Sequence, residues 1–304
     1  MPNEVPCDRL INDGVELYED GELRQALERF EKALELCPGD VRALLWRGKV
    51  ELMAGKLDRA TSTLRSVLER TRDPVAVAAA NFYLALAMFL YSFFVSDQKR
   101  ALEAAKYHIA EAEKALREVE KLGKWGDLYR DAGPSFDSLV DWLKSLTLIE
   151  LERFDVDTTP YLMDFLSEIK DIYHRLKFEG FDGLIDRIYG ALAEVDEYRK
   201  FRTGNAHLTL SPASFLNVHL ELPFIDFMAD FLHVLLARAL VEGYGLREEA
   251  LSALKKVSGR NVVRALAYLY MAKIYEESGR IDRACSYYYR ILDLFDAPAA
   301  KERI

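Results

Sequence analysis

Apolar residues recur along the first part of this chain at helical spacing, and the pattern breaks and restarts in a fixed order. Leu10, Gly14 and Leu17 mark one face of a helix over residues 8–18. Asp20 and Gly21 interrupt it, and Ala26, Phe30 and Ala33 mark a second helix over residues 23–36, stopped by Cys37, Pro38 and Gly39. Thirty-four residues later the order returns as Leu44, Gly48, Ala60, Leu64 and Val67. The same interval separates Ala250, Leu254 and Val257 from Ala284, Tyr288 and Ile291. Gly21, Gly55, Ser96, Gly245 and Gly279 each stand five positions before an alanine. A period of that size, broken once inside each unit, predicts stacked helical hairpins. Gly14 and Ala26 let paired helices approach closely, and Leu10, Leu17 and Phe30 fill the gap between them.

With Leu10, Gly14, Leu17, Ala26, Phe30, Ala33 and Pro38, the first hairpin resembles a tetratricopeptide repeat, and the pair over residues 231–264 and 265–298 resembles it too. Asp13 and Glu51 depart from the pattern, each standing where an apolar residue is expected. The resemblance implies an all-α, tetratricopeptide-like α-solenoid of about six or seven helix pairs with degenerate central helices. It implies N-terminal repeats over residues 1–122, a central degenerate helical region over 123–222 and C-terminal repeats over 223–304.

Residues 75–95 carry no charged side chain and follow the helix-start signal Asp73–Pro74. By length they could cross a bilayer. We read them instead as a helix buried on all sides, because alanine-rich stretches are only mildly hydrophobic and Val75 begins in register. Ala101 falls seven residues late, about two helical turns, which lengthens the helix without rotating its buried face. A charged helix over 97–122 ends at Gly123. After a loop containing Trp125, Gly126, Gly133 and Pro134, helical patterns cover 135–154, 159–178 and 182–202, and residues 203–223 are the expected irregular segment.

Composition narrows the function. In 304 residues, 50% are hydrophobic and 30% charged, as a folded, soluble chain requires. The net charge of −9 argues against nucleic acid as a partner. Only Gln25 and Gln98 are glutamines, which with many Glu and Arg resembles heat-adapted proteins. The first residues lack a basic start followed by an apolar stretch, so the cytoplasm is the expected compartment. Cys7, Cys37 and Cys285 show no CxxC spacing and read as buried small hydrophobes. Antiparallel packing of the first hairpin could also bring Cys7 and Cys37 together as a disulfide.

The expected function is non-enzymatic: a scaffold or adaptor holding a partner protein or peptide, with no cofactor. The resemblance places the concave face on the first helix of each hairpin, at Ile11, Val15, Tyr18, Arg42, Leu45, Lys49, Leu52 and Met53. The alternative is that some of these side chains touch only neighbouring segments of the chain, since solenoids close grooves with their own helices. A second surface is expected at Tyr287, Tyr289, Leu294 and Phe295, where an uncapped hairpin would meet a partner or a second copy of the chain. Two rival functions compete with this reading: a membrane-associated repeat protein using residues 75–95, and a metal-dependent helical enzyme. The latter would use the DxxH pairs Asp171/His174 and Asp230/His233. Asp reaches less far than the Glu of dimetal helical bundles, and no further inward Glu is apparent. His207 and His219 make an incomplete phosphoesterase-like pair, because Glu221 stands where a threonine is needed. No GxxxxGK[ST], HExxH, GxSxG or GxGxxG occurs.

Overall fold

The computed structural model describes residues 6–95, 97–132, 136–152, 185–186, 188–193, 196, 222–259 and 262–294. Among them the chain is all-α, without a strand. It divides into two compact units, residues 1–151 with 218–224, and residues 152–217 with 225–304. Two of the three boundaries, 151/152 and 217/218, fall inside the stretch 123–222, and the third, 224/225, falls just beyond it.

In the first unit the helices are α1 (Pro6–Glu19), α2 (Leu23–Leu36), α3 (Val41–Met53), α4 (Leu57–Arg70), α5 (Pro74–Ser92), α6 (Gln98–Lys121), α7 (Trp125–Ala132) and α8 (Phe136–Glu152). Each packs on its successor from α1 to α7, and α1 meets α3 as α3 meets α5. First helices therefore stack on first helices, which is the contact pattern of a hairpin solenoid. The hairpin turns are built alike. Gly21 and Gly55 take φ of +83° and +78°, a left-handed conformation that side-chain-bearing residues avoid. The next residue then donates its N–H back across the turn, Glu22 to Leu17 O and Lys56 to Glu51 O, each at 2.8 Å. Helix starts are capped by Asp40, Asp73 and Asp97, whose carboxylates accept from the N–H of Ala43, Ala76 and Arg100.

Close approach inside the hairpins rests on glycine. A Cβ at Gly14 would lie 2.8 Å from the Phe30 ring, and one at Gly48 would lie 2.7 Å from Leu64 Cγ. Gly48→Ala is therefore expected to lower the melting temperature. Overpacking costs about 1–3 kcal/mol, against roughly 1 kcal/mol gained from alanine's better helix propensity. Gly126→Ala is the control, since nothing lies within 4 Å of that position. Thermal unfolding followed by circular dichroism compares the two.

The Glu51 departure has a local solution. Its buried carboxylate accepts from Thr63 Oγ1 at 2.8 Å and Arg47 Nε at 2.9 Å, so the polar group is satisfied without water. Asp13 is half-buried.

Helices α5 and α6 are 19 and 24 residues long, against 13 and 14 for α3 and α4. The late Ala101 produces this lengthening, and Ala101 is buried. Helix α5 is long and apolar enough to cross a membrane, yet 83% of its most apolar window is buried inside the fold. It ends at Ser92, short of the expected Val95. Phe136 of α8 packs edge-on against Phe82 of α5, with ring centroids 5.0 Å apart, and Lys144 of α8 bonds Glu113 of α6 at 2.6 Å. The expected loop after residue 123 is largely the helix α7, whose Leu128 is fully buried.

One polar tie crosses the α5–α6 pair. Asn81 Nδ2 donates to Val77 O, so its Oδ1 accepts, which assigns the proton to His108 Nδ1, 2.9 Å away. Burial, reinforced by Arg65 and opposed by Glu111, holds the His108 pKa below its ordinary 6.5. Above that pH the ring is neutral in both states. As pH falls from 6.5 through the lower folded value, the unfolded chain takes up the proton first, and stability is lost. Melting temperature measured across this window should fall less steeply in His108→Gln than in the parent.

Cys7 and Cys37 form a disulfide, with Cα atoms 6.4 Å apart, tying the start of α1 to the end of α2. Cys285 departs from the expected burial and is an exposed thiol, because it lies on the outer side of its helix, away from Ala284 and Tyr288.

The second unit contains α9 (Leu222–Tyr244) from Ile225 onward, α10 (Arg247–Lys255), α11 (Val262–Glu277) and α12 (Ile281–Leu294). Helix α9 begins at Leu222, so Leu222 and Pro223 are helical rather than irregular; proline fits a first turn, whose N–H groups have no partner within the helix. Gly279 has φ +71°, and Arg280 N–H donates to Tyr275 O at 2.8 Å, repeating the turn at Gly21 and Gly55. Ala250, Leu254, Val257, Ala284, Tyr288 and Ile291 are all buried, as their register requires.

Candidate functional site

The inner side of the first unit is formed by α1, α3 and α5. Along α3, Leu45, Lys49, Leu52 and Met53 are buried, and across from them so are Ile11 and Tyr18 of α1. Val15 and Arg42 keep partial exposure. Six of the eight expected groove residues are thus interior in the folded chain, which departs from an open groove. The physical cause is visible at Lys49. This side chain is 1% exposed, and its ammonium lies 4.2 Å from the Trp46 ring centroid, 4.9 Å from Tyr18 and 5.6 Å from Tyr83. Tyr83 comes from α5, the long helix that packs on α3. Three aromatic faces replace part of the hydration that burial removes from the charge. Trp46 also meets Tyr18 edge-on at 5.6 Å and stacks on Phe30 at 6.4 Å. Those contacts join the first two hairpins through one aromatic core. A spacing argument finds Lys49 but not its enclosure, because Tyr83 is distant in sequence.

In the second unit, Tyr287 of α12 stacks on Tyr275 of α11 at 5.6 Å with planes 10° apart, and Tyr268 joins them at 5.6 Å. Arg290 Cζ lies 5.1 Å from the Tyr287 centroid and 5.8 Å from Tyr268, and Arg283 Cζ lies 5.6 Å from Tyr275. Of the expected second surface, Tyr287 and Leu294 are half-buried and Tyr289 is 57% exposed; Phe295 lies outside the described residues. Ile281 is exposed on the same helix. Sequence reasoning named Tyr287 but not the arginines beside it, although Arg283, Tyr287 and Arg290 share one helical row and their spacing was readable.

The DxxH pairs divide. Asp171 and His174, like His207 and His219, lie outside the described residues. Asp230 is buried and accepts from the backbone N–H groups of Ser258 at 3.0 Å and Gly259 at 2.9 Å. Its carboxylate anchors the loop after α10 to α9. Among the described residues no group of three or more His, Cys, Asp or Glu is gathered as a metal site. A depression between α4 and α5, lined by Asp58, Thr61, Arg65, Ser66, Glu69 and Tyr91, mixes both charges and is open to solvent.

Residues 17–81 match the family model described as Tetratricopeptide repeat. That span runs from the end of α1 into α5 and covers the turns at Gly21 and Gly55. No curated protein matches the chain. The match falls on the hairpins whose turns and stacking repeat, so residues 17–81 of this chain are similar to tetratricopeptide repeats, in keeping with its all-α hairpin fold.

Proposed function

We propose that this protein is a non-enzymatic interaction scaffold or adaptor, and that its partner docks on the α11–α12 hairpin, reaching Tyr287 and Leu294 on one flank of α12 and Tyr289 on the other. The observation that carries the reading is the tetratricopeptide match over residues 17–81, since such repeats generally mediate protein–protein interaction and are typically non-enzymatic. Rigid stacking offers a preformed surface, so association avoids much of the ordering cost of a flexible binder. The filled inner side of the first unit directs the choice of surface outward. Exposed Ile281 and Tyr289 supply the apolar and aromatic contact typical of interface centres. Burial of α5 supports a core helix over a membrane anchor. The Cys7–Cys37 bridge suits a heat-adapted cytoplasm, where intracellular disulfides persist.

The test is affinity capture from cells of the source organism, followed by purification of the captured protein and titration against the chain. Binding should weaken at least about tenfold with Ile281→Asp/Tyr289→Asp, a change of roughly 1.4 kcal/mol. Unchanged affinity would remove this docking surface. Failure to isolate any stoichiometric partner would remove the scaffold reading, and a dimer mass abolished by the same substitutions would replace it with self-association.

A further inference from the structure

We propose that Arg283, Tyr287 and Arg290, set against Tyr268 and Tyr275, form a docking strip for an acidic segment of the partner protein. This rests on the scaffold reading above and names the chemistry that the C-terminal hairpin selects. Arg283, Tyr287, Arg290 and Leu294 follow one another at i, i+4, i+7 and i+11, so they line one side of α12. Arg264, Tyr268, Met271 and Tyr275 do the same on α11, and the ring contacts bring the two rows together. Neither row contains a carboxylate. In a chain of net charge −9, that makes the strip a local cationic exception.

The three arginines have different roles. Arg264 is committed to the fold: its Nε donates to Tyr268 Oη and its Nη1 to Ser258 O, each at 2.9 Å. Arg283 and Arg290 are exposed, and among the described residues neither makes an ion pair. Tyr275, Tyr287 and Tyr268 lie beside their guanidinium groups at 5.1–5.8 Å, which restricts the side chains while leaving N–H donors for a ligand. A planar guanidinium meets a carboxylate with two parallel hydrogen bonds, and prior restriction of the arginine lowers the entropy lost on binding. Tyr275 is buried, but half-buried Tyr268 and Tyr287 leave ring edges beside these charges that suit a segment in which acidic residues alternate with aliphatic ones. Two ligand-ready cations neutralise too few phosphates to hold nucleic acid tightly.

The probe is a fluorescein-labelled peptide of repeating Glu-Glu-Leu, titrated with the full chain and followed by fluorescence anisotropy. It should bind more weakly as salt rises, and Arg283→Glu/Arg290→Glu should weaken it at least about tenfold. Lys114→Glu/Lys121→Glu, a matched charge reversal on exposed positions of α6, should leave the affinity unchanged. Circular dichroism of each variant confirms folding. Equal binding by the Arg283→Glu/Arg290→Glu protein or by a Gln-Gln-Leu peptide would overturn the proposal, as would tighter binding of oligouridylate. If the purified partner still binds Arg283→Glu/Arg290→Glu at parental affinity, the strip is wrong and the scaffold reading stands. If no partner is isolated at all, the scaffold reading itself has failed.

Discussion

Trp46→Ala is expected to destabilise the N-terminal hairpins by about 3–5 kcal/mol, the range for deleting a fully buried large aromatic side chain. Trp46 is buried where α1, α2 and α3 converge, in contact with Tyr18, Phe30 and Lys49. Its removal would leave a cavity at the joint between two repeats and would strip Lys49 of its nearest ring. In a solenoid each repeat draws stability from its neighbour, so the loss should spread beyond α3. Hydrogen exchange resolved by mass spectrometry should show α1, α2 and α3 losing protection together. Protection lost in α3 alone would mean that the hairpins do not share a core.

Cutting the Cys7–Cys37 bridge should cost about 2–4 kcal/mol, because the unfolded chain regains the freedom of a closed loop whose ends are 30 residues apart. Urea unfolding with and without reductant gives the difference. Cys37→Ser should unfold early and ignore reductant, whereas Cys285→Ser should behave as the parent does, since that thiol is free and exposed. The bridge ties the start of α1 to the end of α2 and so closes the open end of the first hairpin.

Much of the fold was legible because its signals are local. Gly21, Gly55 and Gly279 are left-handed turns, and Asp73 is a cap, each at a break or start signal read from a few adjacent residues. Misreadings arose where a local signal had a second meaning. Gly126 looked like a loop residue, yet it stands in the first turn of α7, where backbone N–H groups need no helical partner. Pro223 looked like a breaker and sits at the start of α9 for the same reason. Glu51 looked like a flaw in the repeat, and only the pairing of α3 with α4 reveals Thr63 as its partner.

The candidate site was harder to read, since exposure is a long-range property. The family resemblance implies an inner-helix place for Leu45, Lys49 and Leu52 but says nothing of Tyr83, which reaches Lys49 from a helix two places along the chain. In the last hairpin the residue types were all visible. The contact that joins Tyr287 to Tyr275 and places Arg283 and Arg290 on the rings needed the helix pairing to be known.

The inner side of the N-terminal repeats is filled by the chain's own side chains, which is why the proposed docking surface lies elsewhere. Amine acetylation of the native protein, read by peptide mass spectrometry, tests this most directly. Lys49 should stay unmodified while exposed Lys32 and Lys56 react, and it should react only after denaturation. Modification of Lys49 in the folded protein as fast as Lys56 would show an open groove and contradict the account.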